Sequence, residues 1–251
     1  MEVDVNVLGV ILARAGSQGL ASKHLLPLLG RPVIAYTFDH VRASSRLSRV
    51  IVSTDCPQIS MLARSEGFET LARPAELATS TASVQAAMLH AMDTVEQTSA
   101  FRADAFVVLY GNIPVRGEGV IDCAIDMLAK TSCDSVRTFC PVGKWHPAWM
   151  SRLEGDRVIS IQPGSIHRRQ DLTPLFLHDG AVVAVSRQSM LRGKAFPDDP
   201  HAFFGLDRRG FETGAGETVE IDQRRDLHWA EAVLRERAES TCKEHEMRIA
   251  S

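Results

Sequence analysis

One stretch near the start of the chain decides the fold: Val7-Leu8-Gly9-Val10-Ile11-Leu12-Ala13-Arg14-Ala15-Gly16-Ser17-Gln18-Gly19-Leu20-Ala21-Ser22-Lys23-His24-Leu25. An apolar run that ends at Leu12 reads as a buried strand, and it leads directly into a loop with two glycines and two basic residues. Gly16 and Gly19 permit positive φ and close approach of the backbone, so that N–H groups can point at phosphate oxygens. Arg14 and Lys23 add positive charge. The loop therefore indicates nucleotide chemistry, with an ordinary glycine-rich turn of an α/β protein as the alternative.

The loop does not match two common phosphate-binding patterns. No Gly-Lys-Ser/Thr follows the glycines, and their spacing is not the Gly-x-Gly-x-x-Gly of dinucleotide folds. The sequence therefore argues against a P-loop and against an NAD-linked dehydrogenase.

Strand-like and helix-like segments alternate outward from this loop, which predicts βαβ units and a mainly parallel sheet. The predicted strands are Val5–Leu12, Arg49–Ser53, Phe68–Leu71, Ala103–Leu109, Ser135–Cys140, Ala181–Val185 and Thr218–Ile221. The predicted helices are Pro32–Ala43, Gln58–Glu66, Ser83–Gln97, Gly119–Ala129 and one from Arg225 to about Ala238. Ligands bind at the carboxyl ends of strands in such sheets, so the loops after Leu12, Ser53 and Leu109 are candidate site loops.

The segment 142–178 interrupts this alternation, because it is rich in Pro, Trp, His and Arg. We interpret it as an excursion from a single domain that covers residues 1–238, followed by a polar C-terminal tail at 239–251.

Composition limits the class of partner. The 251 residues are 45% hydrophobic and carry a net charge of −3, which argues against a nucleic-acid binder. No apolar run approaches the ~20 residues of a membrane-spanning helix. The N-terminus lacks the basic region of a secretory signal, so we expect a cytoplasmic protein that does not bind membranes. Five cysteines without a Cys-x-x-Cys pair predict neither a disulfide framework nor a zinc site.

Two carboxylates are candidate metal ligands. In Glu220-Ile221-Asp222, strand alternation would place both acidic side chains on the same side. Two such carboxylates can share one Mg²⁺ ion, which also takes phosphate oxygens. A solvated strand face is the alternative reading.

The motifs together resemble those of the CMP-sugar synthetases, the acylneuraminate cytidylyltransferases. The 12–25 loop is similar to their Ala-Arg-x-Gly-Ser-Lys-Gly-(x)3-Lys-Asn signature, and Ser53-Thr54-Asp55 is similar to their second turn. Segments similar to theirs follow in the same order at Arg73-Pro74, Arg169-Gln170, His178-Asp179-Gly180-Ala181 and Glu220-Ile221-Asp222. The resemblance covers about residues 5–235.

The resemblance implies roles for particular residues. Arg14, Lys23 and Asp222 would be catalytic, and Glu220 and Asp222 would bind Mg²⁺ or Mn²⁺. The nucleotide-binding candidates are Ala13, Ala15, Gly16, Ser17, Gly19, Arg73, Ser80 and Asn112. The sugar-binding candidates are Tyr110, Lys144, Arg169 and Gln170. Two other readings stay open: residues 79–83 can cap the helix that follows them, and Arg168 and Arg169 can be a solvated basic pair.

The resemblance also implies an α/β fold, with a Rossmann-like, mainly parallel sheet of the sugar nucleotidyltransferase type, helices on both faces and a small dimerisation excursion. The expected reaction transfers CMP from CTP to the anomeric hydroxyl of a 2-keto-3-deoxy acid sugar and releases pyrophosphate. A homodimer is expected, in which the excursion helps complete the partner's sugar site.

Three site residues depart from the family pattern, in addition to Asp179, which stands where the family turn has Asn. Asn112 stands where related nucleotidyltransferases have a metal-binding Asp, His24 follows the lysine where Asn is usual, and Glu220 replaces an Asp. These departures keep two alternatives open: a nucleotidyltransferase that uses another nucleotide or sugar phosphate, and a nucleotide-binding protein that has lost catalysis.

Overall fold

The computed structural model describes residues 5–16, 19–162, 164 and 166–249. The strands are β1 (Val7–Leu12), β2 (Pro27–Leu28), β3 (Arg31–Pro32), β4 (Arg49–Thr54), β5 (Glu69–Ala72), β6 (Ala105–Tyr110), β7 (Ser135–Pro141), β8 (Ser151–Glu154), β9 (Arg157–Ser160), β10 (Phe176–Ser186) and β11 (Arg208–Glu212). The α-helices are α1 (Val33–Ala43), α2 (Pro57–Ser65), α3 (Val84–Thr98), α4 (Val120–Thr131), α5 (Arg187–Ala195) and α6 (Arg224–Ile249).

A seven-stranded sheet in the order β11-β7-β10-β6-β1-β4-β5 organises the molecule. The neighbours in this sheet are parallel except at β10, which runs antiparallel to both β6 and β7. The prediction of a mainly parallel sheet is therefore confirmed. Strand β1 lies at its centre between β4 and β6, and every residue of β1 is buried, which explains its continuous apolar sequence.

Helices cover both faces of the sheet. Helices α1, α2 and α4 contribute to one buried cluster, through residues such as Phe38, Ile59 and Ile121. Helix α3 packs on the opposite face through the apolar stripe that contains Met88 and Met92. This arrangement leaves the carboxyl edge of the sheet open for the loops that follow β1, β4, β5 and β6.

The structure corrects three expectations about secondary structure. The predicted strand Thr218–Ile221 forms one bridge, between Val219 and Val115, and is not a strand of the sheet, because Val115 lies in the loop after β6. Helix α6 continues to Ile249, past the expected end at Ala238. Strand β11 and helix α5 were not predicted, because both are dominated by polar or exposed residues.

Within the excursion, β8 and β9 form an antiparallel hairpin apart from the main sheet. No helix in the described part of the chain is both long and apolar enough to cross a membrane.

Candidate active site

A cleft of about 150 Å³ opens at the carboxyl edge of the sheet. The side chains that line it come from the loops after β1, β5 and β6, from the start of α3 and from the segment before α6. They include Arg14, Lys23, His24, Arg73, Thr79, Ser83, Tyr110, Asn112 and Glu220. Residues that are far apart in the sequence thus form one cleft with three basic side chains.

The loop after β1 is held against the neighbouring loops by two hydrogen bonds. The backbone N–H of Ala15 donates to Oδ1 of Asp55 at 2.7 Å, and the Arg14 guanidinium donates to the carbonyl of Thr79 at 2.7 Å. Ala13 is buried below the loop. Asp55 was not among the predicted site residues, although the Ser53-Thr54-Asp55 turn pointed to it. Ser17 lies outside the described residues.

The glycines of this loop confirm the expected close approach at Gly19, but neither Gly16 nor Gly19 has a positive φ. Gly16 does not have a positive φ, whereas Ser22, with φ of 51°, is left-handed. Gly19 serves close approach, because a Cβ atom there would lie 2.7 Å from the backbone carbonyl oxygen of Asp222. Any larger residue at position 19 would therefore push apart the loop and the segment that carries Asp222.

Lys23 joins the loop to the predicted metal-ligand segment. Its Nζ lies 2.7 Å from Oδ1 of Asp222, and the lysine side chain is 16% exposed while the aspartate is 59% exposed. The backbone N–H groups of Asp222 and Gln223 donate to Oδ2 of Asp226 at 2.9 and 2.7 Å. Asp226 thus fixes the approach to α6 in the manner of a capping box, and Asp222 faces Lys23 from a defined position.

His24 lies in the cleft as a neutral side chain. Burial, reinforced by the positive charges of Lys23, Arg73 and Arg14, lowers the pKa of His24 to about 3. The ring fits because the residue directly after β6 is a glycine: a Cβ atom at Gly111 would be 3.0 Å from Cδ2 of His24. A neutral imidazole adds hydrogen-bonding capacity to the cleft without further positive charge.

Arg73 lines the cleft while most of its side chain is buried against β4. Its Nε and Nη2 donate to the side-chain hydroxyl of Ser53 at 3.1 Å and to the backbone carbonyl of Ser53 at 2.8 Å. Burial lowers the pKa of Arg73 from its usual range, and the Asp55 carboxylate partly offsets this. The end of β4 therefore sets the orientation of Arg73.

Asn112 supports Glu220. The amide nitrogen of Asn112 donates to Oε1 of Glu220 at 3.0 Å and to the backbone carbonyl of Ile221 at 3.1 Å. Because both partners, the Glu220 carboxylate and the Ile221 carbonyl, accept hydrogen bonds, the amide group of Asn112 must present its nitrogen to them. The amide thus holds the Glu220 carboxylate that would be a metal ligand, instead of adding a carboxylate of its own.

Arg116 is a buried organising residue that sequence reasoning missed. Its guanidinium donates to the backbone carbonyls of Tyr110, Ile113 and Ala181, and also contacts Thr37 and His40. Burial lowers the pKa of Arg116 to about 9. The sequence held one signal for this role, since Arg116 directly follows the Asn112-Ile113-Pro114-Val115 segment. By holding the carbonyls of Tyr110 and Ile113, on either side of Asn112, Arg116 positions Asn112.

Asp179 occupies the position at which the family turn has Asn. Its carboxylate accepts hydrogen bonds from Thr138, Thr213 and Thr218 and from the N–H of Ala181. Burial raises the pKa of Asp179, but these donors outweigh it, and the pKa lies below its usual range. Asp179 thereby ties the segment that leads to Glu220 to strands β7 and β10.

Several candidate residues do not line this cleft. Lys144, Arg169 and Gln170 are exposed on the excursion, where the Lys144 ammonium lies 5.0 Å from the centroid of the Trp145 ring. Ser80 is also exposed and outside the lining. Its neighbours make the capping contacts of the alternative reading: Ser83 Oγ accepts from Ala86 N at 3.1 Å, and Thr79 Oγ1 accepts from Ala82 N at 3.1 Å.

Comparison with known proteins defines the family. A family model described as "Cytidylyltransferase" matches residues 8–238, so the chain belongs to the cytidylyltransferase family. It is 30% identical over 191 residues to the N-acylneuraminate cytidylyltransferase of Streptococcus agalactiae serotype V, an alignment that covers 74% of this chain and 45% of that protein. The chain thus spans about half the length of the first curated relatives that it matches.

Two further matches extend along most of both chains. The CMP-N,N'-diacetyllegionaminic acid synthase of Legionella pneumophila is 27% identical over 203 residues, which cover 78% of this chain and 84% of that protein. A solved structure of CMP:2-keto-3-deoxy-manno-octonic acid synthetase with CTP superposes with a TM-score of 0.69 at 19% identity, and covers 92% of this chain and 99% of that chain. The resemblance to the CMP-sugar synthetases and the Rossmann-like nucleotidyltransferase fold are both confirmed.

Proposed function

We propose that the protein is a cytidylyltransferase that transfers CMP from CTP to the anomeric hydroxyl of a 2-keto-3-deoxy acid sugar and releases pyrophosphate. One observation carries this proposal: Arg14 and Lys23 on one wall of the cleft meet the Glu220 and Asp222 segment on the other. Cations for a triphosphate and carboxylates for a metal thus share one site, in a chain whose residues 8–238 match the cytidylyltransferase family.

The nucleotide would lie along the loop after β1. Lys23 has three N–H donors, so it can keep its contact with Asp222 and still donate to a phosphate oxygen. Arg14 adds a second charge beside it. The base would lie toward Arg73 and the residues before α3, where Thr79 and Ser83 supply hydroxyl groups.

The chemistry is a displacement at phosphorus. The anomeric oxygen of the acceptor attacks the α-phosphorus, the bond from that phosphorus to the bridging oxygen of pyrophosphate breaks, and the hydroxyl proton leaves to a carboxylate of the Glu220 and Asp222 pair. Arg14 and Lys23 neutralise the charge that develops on the phosphate oxygens, and the cleft walls hold the reactants in line.

Mg²⁺ or Mn²⁺ fits the donor set. In the described part of the chain, no cluster of three or more His, Cys, Asp or Glu side chains could hold a metal alone. Mg²⁺ is commonly held by one or two carboxylates together with substrate phosphates, and Glu220 and Asp222 supply oxygen donors of that kind. When bound, the ion would neutralise charge at the α-phosphate and polarise the attacking hydroxyl.

A homodimer would account for the excursion. Trp145, Leu153 and Val158 are each more than two-thirds exposed there, at 68%, 70% and 69%. Lys144, Arg169 and Gln170 would then act in the partner's cleft, where the two basic residues can pair with the sugar carboxylate. Light scattering would measure the mass in solution. Mixing Arg14→Ala chains with Arg169→Ala chains tests the shared site, because a mixed dimer regains one intact cleft. We also propose a cytoplasmic location, where CTP is supplied.

Pyrophosphate release with CTP, Mg²⁺ and a panel of acid sugars tests the proposed reaction. Arg14→Ala should lower turnover about 100-fold or more, as expected for loss of a group that stabilises transition-state charge. Arg64→Ala is the matched control, because Arg64 lies on α2 and donates to Thr70. Turnover of Arg14→Ala within threefold of wild type would refute the role of Arg14. Asp222→Ala should retain CTP but lose turnover.

The neutral amide of Asn112 beside Glu220 favours testing two alternatives in the same assay. Release of pyrophosphate from UTP, GTP or ATP in preference to CTP would identify a different nucleotidyltransferase. Thermal stabilisation by CTP without Mg²⁺-dependent pyrophosphate release from any acceptor would identify a nucleotide-binding protein without catalysis.

A further inference from the structure

Arg137 is a half-buried cation whose side chain has no hydrogen-bonding partner among the residues that the structure describes. It lies on β7, and its guanidinium carbon is 4.7 Å from the ring centroid of Phe204 and 5.3 Å from that of Phe139. Its Nε is buried, and the side chain forms no hydrogen bond or ion pair with any residue that the structure describes. Aromatic faces attract the charge but leave the N–H donors of the guanidinium unused.

A second arginine adds to the same positive region. Arg208 on β11 lies with its guanidinium carbon 5.8 Å from the Phe204 centroid, and its Nε donates to the carbonyl of Gly205 at 2.7 Å. No carboxylate among the described residues forms an ion pair with either arginine. Burial lowers the pKa of Arg137, and the charge of Arg208 lowers it further. An anion between them would relieve this repulsion, whereas a neutral ligand would not.

The region adjoins the active-site cleft. Val183 on β10 pairs with Val108 on one side and with Arg137 on the other, so the Arg137 side chain lies on the same face as Val108 and Tyr110. Burial raises the pKa of Tyr110 to about 12; the charge of Glu220 contributes in the same direction, and that of Arg137 opposes it. Tyr110 lines the cleft, so Arg137 lies within electrostatic reach of the cleft wall.

We propose that Arg137, supported by Arg208 and walled by Phe139 and Phe204, binds an anionic group at the end of the acceptor substrate remote from its reacting hydroxyl. This inference rests on the proposed function. The carboxylate on the anomeric carbon of a 2-keto acid sugar stays near the reacting centre, where the proposed function pairs it with the partner's Lys144 and the partner's Arg169. The Arg137 subsite therefore selects acceptors that carry a second acidic group, a phosphate or a carboxylate.

The first test compares acceptors that differ only in such a group. The pairs are 3-deoxy-octulosonate with its 8-phosphate and N-acetylneuraminate with its 9-phosphate, each assayed by pyrophosphate release. Wild type should show a KM at least about tenfold lower for a phosphorylated member, the size expected for one desolvated charge-assisted contact. Arg137→Gln should abolish the difference, and Arg137→Lys should retain part of it.

Arg209→Gln is the matched control, because Arg209 lies on the same strand as Arg208 but is paired with Asp207 at 2.9 Å. It should keep the wild-type preference. Equal KM values within each pair in wild type, or a preference that survives in Arg137→Gln, would overturn the proposal. Unfolding temperatures close to wild type for the variants establish that the change is local.

The second test does not depend on turnover. The side-chain Nε–H resonance of Arg137, assigned by its absence in Arg137→Lys, is followed while inorganic phosphate or malonate is added. A saturable shift at Arg137, without an equal shift at Arg209, supports the subsite, and the stronger of the two anions identifies the preferred acidic group. No shift, or equal shifts at both arginines, contradicts it. If no acceptor in the first test reacts, the proposed function fails, while this titration still decides on the anion subsite.

Discussion

Buried His24 and partly buried His40 should make the protein sensitive to mild acid. Burial lowers the pKa of His24 to about 3, with help from Lys23, Arg73 and Arg14. Burial also lowers the pKa of His40 to about 3; the charge of Arg116 lowers it further and Asp39 partly opposes this. Both rings thus stay neutral in the folded protein, at pH values where an unfolded chain would protonate them.

The sign and size of the effect follow from proton linkage. Since the unfolded chain binds a proton near its ordinary pKa of about 6.5 and the folded chain does not, the stabilisation is complete above that pH and is lost as the pH falls toward 3. Below pH 6.5, each imidazole that stays neutral in the folded protein lowers the free energy of unfolding by about 1.4 kcal/mol per pH unit, which is about 2 kcal/mol at pH 5. His40 keeps part of its surface in water and should contribute less than His24. At pH 5 the two histidines together would lower the free energy of unfolding by about 3–4 kcal/mol, out of the about 5–15 kcal/mol that is typical of proteins.

Urea unfolding between pH 7 and pH 5, followed by tryptophan fluorescence, measures this slope above the range in which most carboxylates titrate. His24→Gln and His40→Gln should each flatten the dependence, even if they lower stability at pH 7, and the amide oxygen of the second variant can still accept from Arg116. His228→Gln is the control, because His228 is exposed on α6. If the double variant loses as much stability as wild type between pH 7 and pH 5, the reasoning is wrong.

Three further predictions follow from contacts in the site. Gly19→Ala should lower kcat/KM for pyrophosphate release about tenfold or more, because its Cβ would lie 2.7 Å from the Asp222 carbonyl oxygen. Gly16→Ala is the control and should change kcat/KM little, because the nearest atom to its Cβ, the carbonyl oxygen of Ala78, is 4.0 Å away. Arg116→Met should destabilise the protein by about 3–5 kcal/mol in urea unfolding, because buried acceptors lose their donor; a loss below 1 kcal/mol would contradict this role. Asn112→Asp brings a second carboxylate to within about 3 Å of Glu220, so it should lower the unfolding temperature in the absence of divalent cations and increase the stabilisation by Mg²⁺. Thermal melts with Mg²⁺ and with EDTA measure both effects. An unchanged response to Mg²⁺ would count against this prediction.

The centre of the fold could be predicted from the sequence because local pattern and burial agree there. Strand β1 is apolar throughout and is buried throughout, and the stripe through Met88 and Met92 on α3 faces the core as expected. Strand β11 escaped prediction because it is an edge strand: Arg208 and Arg209 are exposed, and its polar sequence has no alternation to detect.

The site was predictable where its residues follow strands. Arg14, Arg73 and Asn112 each lie within two residues of the end of a strand of the sheet, and all three line the cleft. The contacts that support them were not predictable, because they join residues that only the folded topology brings together. The hydrogen bonds that Thr213 and Thr218 donate to Asp179 are of this kind, because the sequence around each threonine does not indicate which residue it contacts.

The contact between Lys23 and Asp222 also bears on how the protein is made. Its two residues are separated by 199 positions, so the cleft closes only after the chain has been synthesised past Asp222. The central strands β1, β4 and β6 all lie within the first 110 residues and can pair much earlier, as expected when folding proceeds from the N-terminus during translation. A nascent chain would therefore pair its central strands before it forms a triphosphate site, and nucleotide could assist only the folding that follows synthesis of Asp222.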